Sequence, residues 1–158
     1  MLAGALRQEG ERIMALEDAL TSPASSHCRT IANEIKSLEV LLNGYKSFGV
    51  DLQEDSRELL IDLAKEADED WETYEPSVID YINLCCIEMT FLAQRRSGVS
   101  NWDIIGVRLL KTYGGPNTSI EWLESDYIEV KVQWAGDSAV EYVPAPSLAL
   151  ALAELADR

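Results

Sequence analysis

An α+β fold is what this chain predicts, and three observations predict it. Apolar residues recur at helical spacing through the first half, the period changes to two in the second half, and Gly-rich turns punctuate the alternating segments. The 158 residues are 47% apolar and 26% charged, ordinary for a globular domain and too apolar for a disordered one. The expected organisation is a helical region over 1–76 and a β-meander with a C-terminal helix over 77–158, folded as one compact unit.

In the first helical segment Leu2, Leu6, Ile13, Leu16 and Leu20 share a face, and Thr21-Ser22-Pro23 ends it. Ser22 is a natural N-cap for the next helix, with Pro23 at the first helical position, where a missing N–H costs nothing. That second helix carries Cys28, Ile31, Ile35, Leu38, Leu42 and Tyr45 at alternating spacings of three and four. So short a seam predicts pairing within the chain, as an antiparallel helical hairpin; a homodimer assembled through the seam is the alternative. Gly49 is placed to stop this helix. Asp51-Leu52-Gln53-Glu54 reads as a capping box opening a third helix that runs to about Tyr74, where Glu75-Pro76 breaks it.

Cys85 to Gln94 alternates like a strand, although residues 77–86 fit a helix equally well. Ile104–Tyr113, Ser119–Leu123 and Tyr127–Trp134 supply three more, separated by Gly114-Gly115-Pro116-Asn117 and adjacent turns. The last is the clearest, with Ile128, Val130, Val132 and Trp134 on one side and Glu129, Lys131 and Gln133 on the other. Ala135-Gly136-Asp137-Ser138 turns again, and Pro144-Ala145-Pro146 leads into a closing helix from Ser147 to Ala156. The expectation is a roughly four-stranded antiparallel meander.

Gly106-Val107-Arg108-Leu109-Leu110, Tyr113-Gly114-Gly115-Pro116-Asn117 and Trp134-Ala135-Gly136-Asp137-Ser138-Ala139 together resemble a module of small proteins from phages and other mobile elements. In that module a Gly-Gly-Pro-Asn turn joins two strands and a Trp-Trp-Gly-Asp turn closes the hairpin; here Ala135 replaces the second Trp. The match covers about a third of the chain and consists of turn chemistry, so it transfers no functional residue. It implies a mobile-element context in which antagonism of host defence, as by anti-CRISPR proteins, is a common role.

Charge narrows the function classes. There are 13 Lys and Arg against 28 Asp and Glu, a net of −15. Binding nucleic acid or an anionic membrane needs cations to meet phosphates, so neither is an expected direct partner. No apolar run is long enough to span a bilayer. Three cysteines, two of them adjacent, make no disulfide framework, and the first residues lack the pattern of a signal peptide; both predict a cytoplasmic protein.

Catalytic chemistry finds little support. His27 is the only histidine and lies beside Cys28, but consecutive helix residues diverge by about 100°. No Cys-x-x-Cys or paired His suggests zinc, and no metal or cofactor is expected. Asp103, Glu129 and Lys131 outline a metal-dependent nuclease constellation, yet acids are so frequent that such an acidic-x-Lys triplet arises by chance. The chain reads as a non-enzyme.

The strongest feature is an acidic stretch. Residues 51–80 hold twelve acids and two bases, a net of −10, or two thirds of the excess charge in a fifth of the chain. On a continuous helix Asp51, Asp55, Glu58, Asp62 and Glu69 fall within about 60° of one another, with Glu66 at the edge. Like charges at this spacing repel by a few tenths of a kcal/mol per pair. The row reads either as a solvated face or as a ribbon that docks on a basic protein surface built for nucleic acid. The second reading makes the protein an inhibitor of a host protein or ribonucleoprotein, with Asp51, Asp55, Glu58, Asp62, Glu66 and Glu69 as its contact residues.

Overall fold

The structure, a computed structural model, describes residues 22–45, 51–95 and 97–157. The first expected helix, its half of the hairpin and Gly49 lie outside the described residues.

Helix α1 spans Pro23–Leu42. Ser22 caps it, its Oγ accepting from the Ser25 N–H at 3.2 Å. The helix stops three residues short of Tyr45: Gly44 takes the left-handed conformation (φ 74°) just past the Asn43 cap, where a Cβ would be penalised. Its seam is spent inside the chain. Cys28, Ile31, Ile35 and Leu38 are buried, and α1 packs on the fourth and fifth strands of the sheet and on the next helix. The Cys28 thiol donates to the Val130 carbonyl at 3.4 Å.

Helix α2 spans Glu54–Glu66, starting and ending differently from the sequence expectation. Gln53, not Asp51, is the N-cap, and no side chain caps the helix. The helix ends eight residues before Tyr74 because Asp68 adopts φ 56°. The Asp68 N–H then donates to the Lys65 carbonyl at 3.1 Å and the Glu69 N–H to that of Ala64 at 2.9 Å. Those two bonds are a Schellman motif with Asp where Gly is usual. A turn around Asp70 follows, which leaves Trp71 exposed, while Tyr74 is buried and donates to Asp80 Oδ2 at 2.7 Å.

Residues 78–85 are helical, with Ser77 and Cys86 as extended caps on either side. Helix α3 spans Val78–Cys85, with the Ser77 hydroxyl accepting from the Ile79 N–H. Cys85 and Cys86 therefore close a helix instead of opening a strand.

Five strands follow in a simple antiparallel meander: β1 Glu88–Gln94, β2 Asp103–Thr112, β3 Asn117–Leu123, β4 Tyr127–Trp134 and β5 Asp137–Pro144. The fold class is the expected α+β, with one strand more. In β5 the inward positions are Ala139, Glu141 and Val143, opposite Val132, Val130 and Ile128. A small residue and an acid break the apolar alternation there; the acid is tolerated because Arg29 of α1 meets it at 3.3 Å. Ala135 and Gly136 both hold positive φ (49° and 83°), as a two-residue hairpin loop requires. Gly106 has a different reason to be glycine: a Cβ there would lie 2.4 Å from the Trp122 carbonyl oxygen and 2.7 Å from Leu123 Cδ2 on β3.

Helix α4 spans Pro146–Ala156 and lays Leu148, Ala149 and Leu152 on the core. Its own N-cap, Ala145, contributes no side-chain bond. Glu39 of α1 does the capping instead, its two carboxylate oxygens accepting from the Ser147 and Leu148 N–H groups at 2.8 and 2.9 Å. One continuous core joins the four described helices to the inner sheet face, where Val107, Leu109, Ile120, Ile128, Val130, Val132 and Val143 are buried.

Candidate interaction site

The six acids of the sequence reading are all exposed, and the fold divides them. Asp55, Glu58, Asp62 and Glu66 ride on α2. Asp51 precedes the helix and Glu69 follows its Schellman end, so neither keeps the helical spacing that placed it in the row. No cation lies within ion-pairing distance of any of the six among the described residues, although Arg57 and Lys65 share the helix. Asp55 lies in the first turn, where an acid suits the helix dipole, but Glu58, Asp62 and Glu66 follow one another at one-turn spacing and repel; the helix is secured by its other face, where Leu59, Leu60, Leu63 and Ala64 are buried.

Three of the six, Asp55, Glu58 and Asp62, line a groove of about 600 Å³ between α2, α1 and the end of α3. Thr30, Asn33, Glu34 and Ser37 form its α1 wall, with Leu59, Leu84 and Cys85 between. The groove mixes an acidic rim with a small apolar floor.

Glu34 is the residue that sequence reasoning missed. It accepts from the Tyr81 hydroxyl at 2.6 Å and ion-pairs with Lys111 of β2. The Lys111 ammonium also lies 3.3 Å from the Tyr81 hydroxyl and 5.4 Å from its ring centre. The Lys111 side chain is only 9% exposed and that of Glu34 26%, so the cation is held deeper than its partner. Burial first, and the Glu34 charge second, push the Tyr81 phenol well above its usual range. A seam helix that carries one acid at an inward-turned position was the available signal, but the partner, forty-seven residues away for Tyr81, was not readable from spacing.

Cys85 and Cys86 sit beside this cluster. Burial raises the Cys85 thiol to about 11 and Cys86 to about 12, and Lys111 only partly opposes the effect. Both are therefore thiols, not thiolates, at neutral pH, and neither is a nucleophile in waiting. The folded protein should react with iodoacetamide at pH 8 on the order of a hundredfold more slowly at these two positions than the urea-unfolded chain, whose thiols titrate near about 8.5. The sign for stability follows: groups raised on folding favour the native state below the unfolded value and lose that preference as pH climbs from about 9 toward 12. Equal labelling rates in the folded and unfolded states, read by mass spectrometry, would contradict this burial.

The other candidate chemistry is dispersed. His27 Nε2 is 3.1 Å from the Thr118 hydroxyl, and its ring meets Trp134 edge-on, while the Cys28 thiol points to the Val130 carbonyl. Glu129 and Lys131 face outward from β4, opposite Glu121 and Ser119. Asp103 begins β2 opposite Gln94, five residues from the Arg108–Glu121 pair, which is roughly 17 Å along a strand. The nuclease constellation is thus not assembled. Among the described residues no group of three or more His, Cys, Asp or Glu is arranged to hold a metal ion, and no helix is long and apolar enough to cross a membrane. Comparison with known proteins gives no match: no family model, no curated protein and no solved structure corresponds to this chain.

Proposed function

We propose that this protein is a non-enzymatic inhibitor or adaptor of the cytoplasm that binds another protein through its acidic surface, occupying a basic channel that otherwise takes nucleic acid. The observation that carries the reading is the exposed row Asp55, Glu58, Asp62 and Glu66 on α2, unpaired by any described cation and self-repulsive where it stands. Carboxylates one turn apart lie about 5–6 Å from one another along the axis, a regular row of negative charge of the kind a phosphate backbone presents to a basic channel. A groove alongside offers a place for a long basic side chain to lay its apolar stem on Leu59 and Leu84 while its head meets Asp55, Glu58 or Asp62. The turn resemblance to mobile-element proteins supplies the biological setting, an anti-defence protein acting on a host complex.

Capture of partners from host lysate at low and high salt, then binding kinetics, tests this. Asp55→Lys with Asp62→Lys should slow association and weaken binding by roughly 1–3 kcal/mol, most strongly at low salt. The fold should survive, because both side chains are exposed. Glu124→Lys with Asp126→Lys, exposed in the β3–β4 turn, makes the same change in net charge and should do much less. Equal losses for the two pairs would reduce the effect to total charge and remove the ribbon from the account.

A further inference from the structure

The β1 edge of the sheet is built unlike the rest of the surface. β1 is a terminal strand, and among the described residues nothing pairs with its outer side. Among the described residues helices pack on β2, β4 and β5, but none packs substantially on β1. Its core-side residues are consequently open: Met89 is 37% exposed and Phe91 41%, and the adjoining Ile87 reaches 67%. Proteins usually blunt such an edge with Lys, Pro or a short strand, and Glu88–Gln94 contains no Lys or Pro; only the register shift at Leu92/Ala93 interrupts it.

Charge says what can cover it. Residues 84–111 carry Arg95, Arg96, Arg108 and Lys111 against Glu88 and Asp103; Arg108 and Lys111 are paired with Glu121 and Glu34, so the strip is close to neutral in a chain of −15. Two copies of so acidic a protein repel each other over most of their surface, and least along this edge. The strand is also compatible with itself. Paired antiparallel about Phe91, Glu88 meets Gln94, Met89 meets Ala93 and Thr90 meets Leu92, so no charge opposes a like charge. The same pairing sets Arg95 opposite Ile87 of the other copy, two residues beyond Cys85 at the acidic groove of Asp55, Glu58, Asp62 and Glu34. The twofold axis repeats that contact, so each copy gives one Arg95 and receives one.

We propose that β1 is a dimerisation edge, where two copies of this chain add their β1 strands antiparallel, joining the two sheets into one and setting Arg95 of each copy beside the acidic groove of the other. A strand pair with flanking side chains lies at the small end of specific interfaces, the range of weak and transient association. This inference does not depend on target binding, and purified protein alone reads it.

Sedimentation equilibrium of the full chain should show a monomer–dimer equilibrium. Phe91→Lys should raise its Kd at least tenfold; Arg95→Glu should also raise it, and adding Asp62→Lys to Arg95→Glu should recover part of the loss. Copies carrying Glu88→Cys mixed with copies carrying Gln94→Cys should form a disulfide-linked pair under mild oxidation that wild type does not, which decides the matter if Phe91→Lys fails to fold. A single 17.6 kDa species at hundreds of micromolar overturns the proposal and leaves the strip to another part of this chain or a foreign partner. A dimer indifferent to Phe91→Lys, or one that the 88/94 pair does not link, overturns it as well.

Discussion

Glu34→Ala will destabilise the protein more than Lys111→Met, and replacing both will be milder than replacing Glu34 alone. The asymmetry comes from which charge is left behind. Without Glu34, the Lys111 ammonium stays in a side chain 9% exposed, with the Tyr81 hydroxyl at 3.3 Å and its ring beside it and no carboxylate to pair with among the described residues. A buried charge stripped of its partner costs about 3–5 kcal/mol. Without Lys111, Glu34 keeps the 2.6 Å bond from Tyr81 and opens onto the groove, where water reaches it, so the loss should be nearer 1.5–3 kcal/mol, roughly that of one hydrogen bond to a charged group. Glu34→Leu with Lys111→Met removes both charges and should return most of the stability, because apolar replacement of a buried pair is often close to neutral.

Urea unfolding at one protein concentration measures the cycle. Strictly additive losses, or a Glu34→Ala cost below about 1 kcal/mol, would mean that solvent already screens Lys111 and that the pair is ornamental. Tyr81→Phe adds a check on the third member: it keeps the ring under the ammonium and removes only the hydroxyl that both charged groups touch.

What the sequence disclosed and what it hid divide along physical lines. The α1 seam, its Ser22 cap, strands β2 to β4 and their Gly turns were legible because each is fixed by neighbours within a few residues. The stop of α2 at Glu66 was not, since it depends on Asp68 accepting a left-handed backbone that sequence rules assign to Gly or Asn. That single residue detaches Glu69 from the acidic row. Strand β5 escaped notice because Glu141 faces inward and is neutralised by Arg29, more than a hundred residues earlier. At the candidate site, Asp55, Glu58 and Asp62 were readable as a row. Their joining with Glu34 into one groove, and the tie from Glu34 to Lys111, needed the tertiary fold. Likewise Glu39, which caps α4 from α1, carries no local mark of that role.

Ile35→Ala, finally, will cost about 2–5 kcal/mol, the range for truncating a large aliphatic side chain that cannot be refilled. Ile35 is fully buried at the centre of α1, between Ile31 and Leu38 on the face turned toward the sheet and α2. Deleting its outer methyl and methylene groups loses their transfer from water and leaves a void in the buried core. Ile35→Val, one methylene smaller, should cost about 0.5–1.5 kcal/mol, and the step between the two variants separates cavity from transfer. Val40→Ala on the open side of the same helix, where Val40 is 42% exposed, should stay within about 0.5 kcal/mol and controls for helix propensity. All are read from urea unfolding at one concentration, best in the Phe91→Lys background, so that self-association at β1 does not enter the comparison. A cost for Ile35→Ala no larger than that for Val40→Ala would mean the seam is not packed against the sheet, and would restore the seam itself as a surface for assembly.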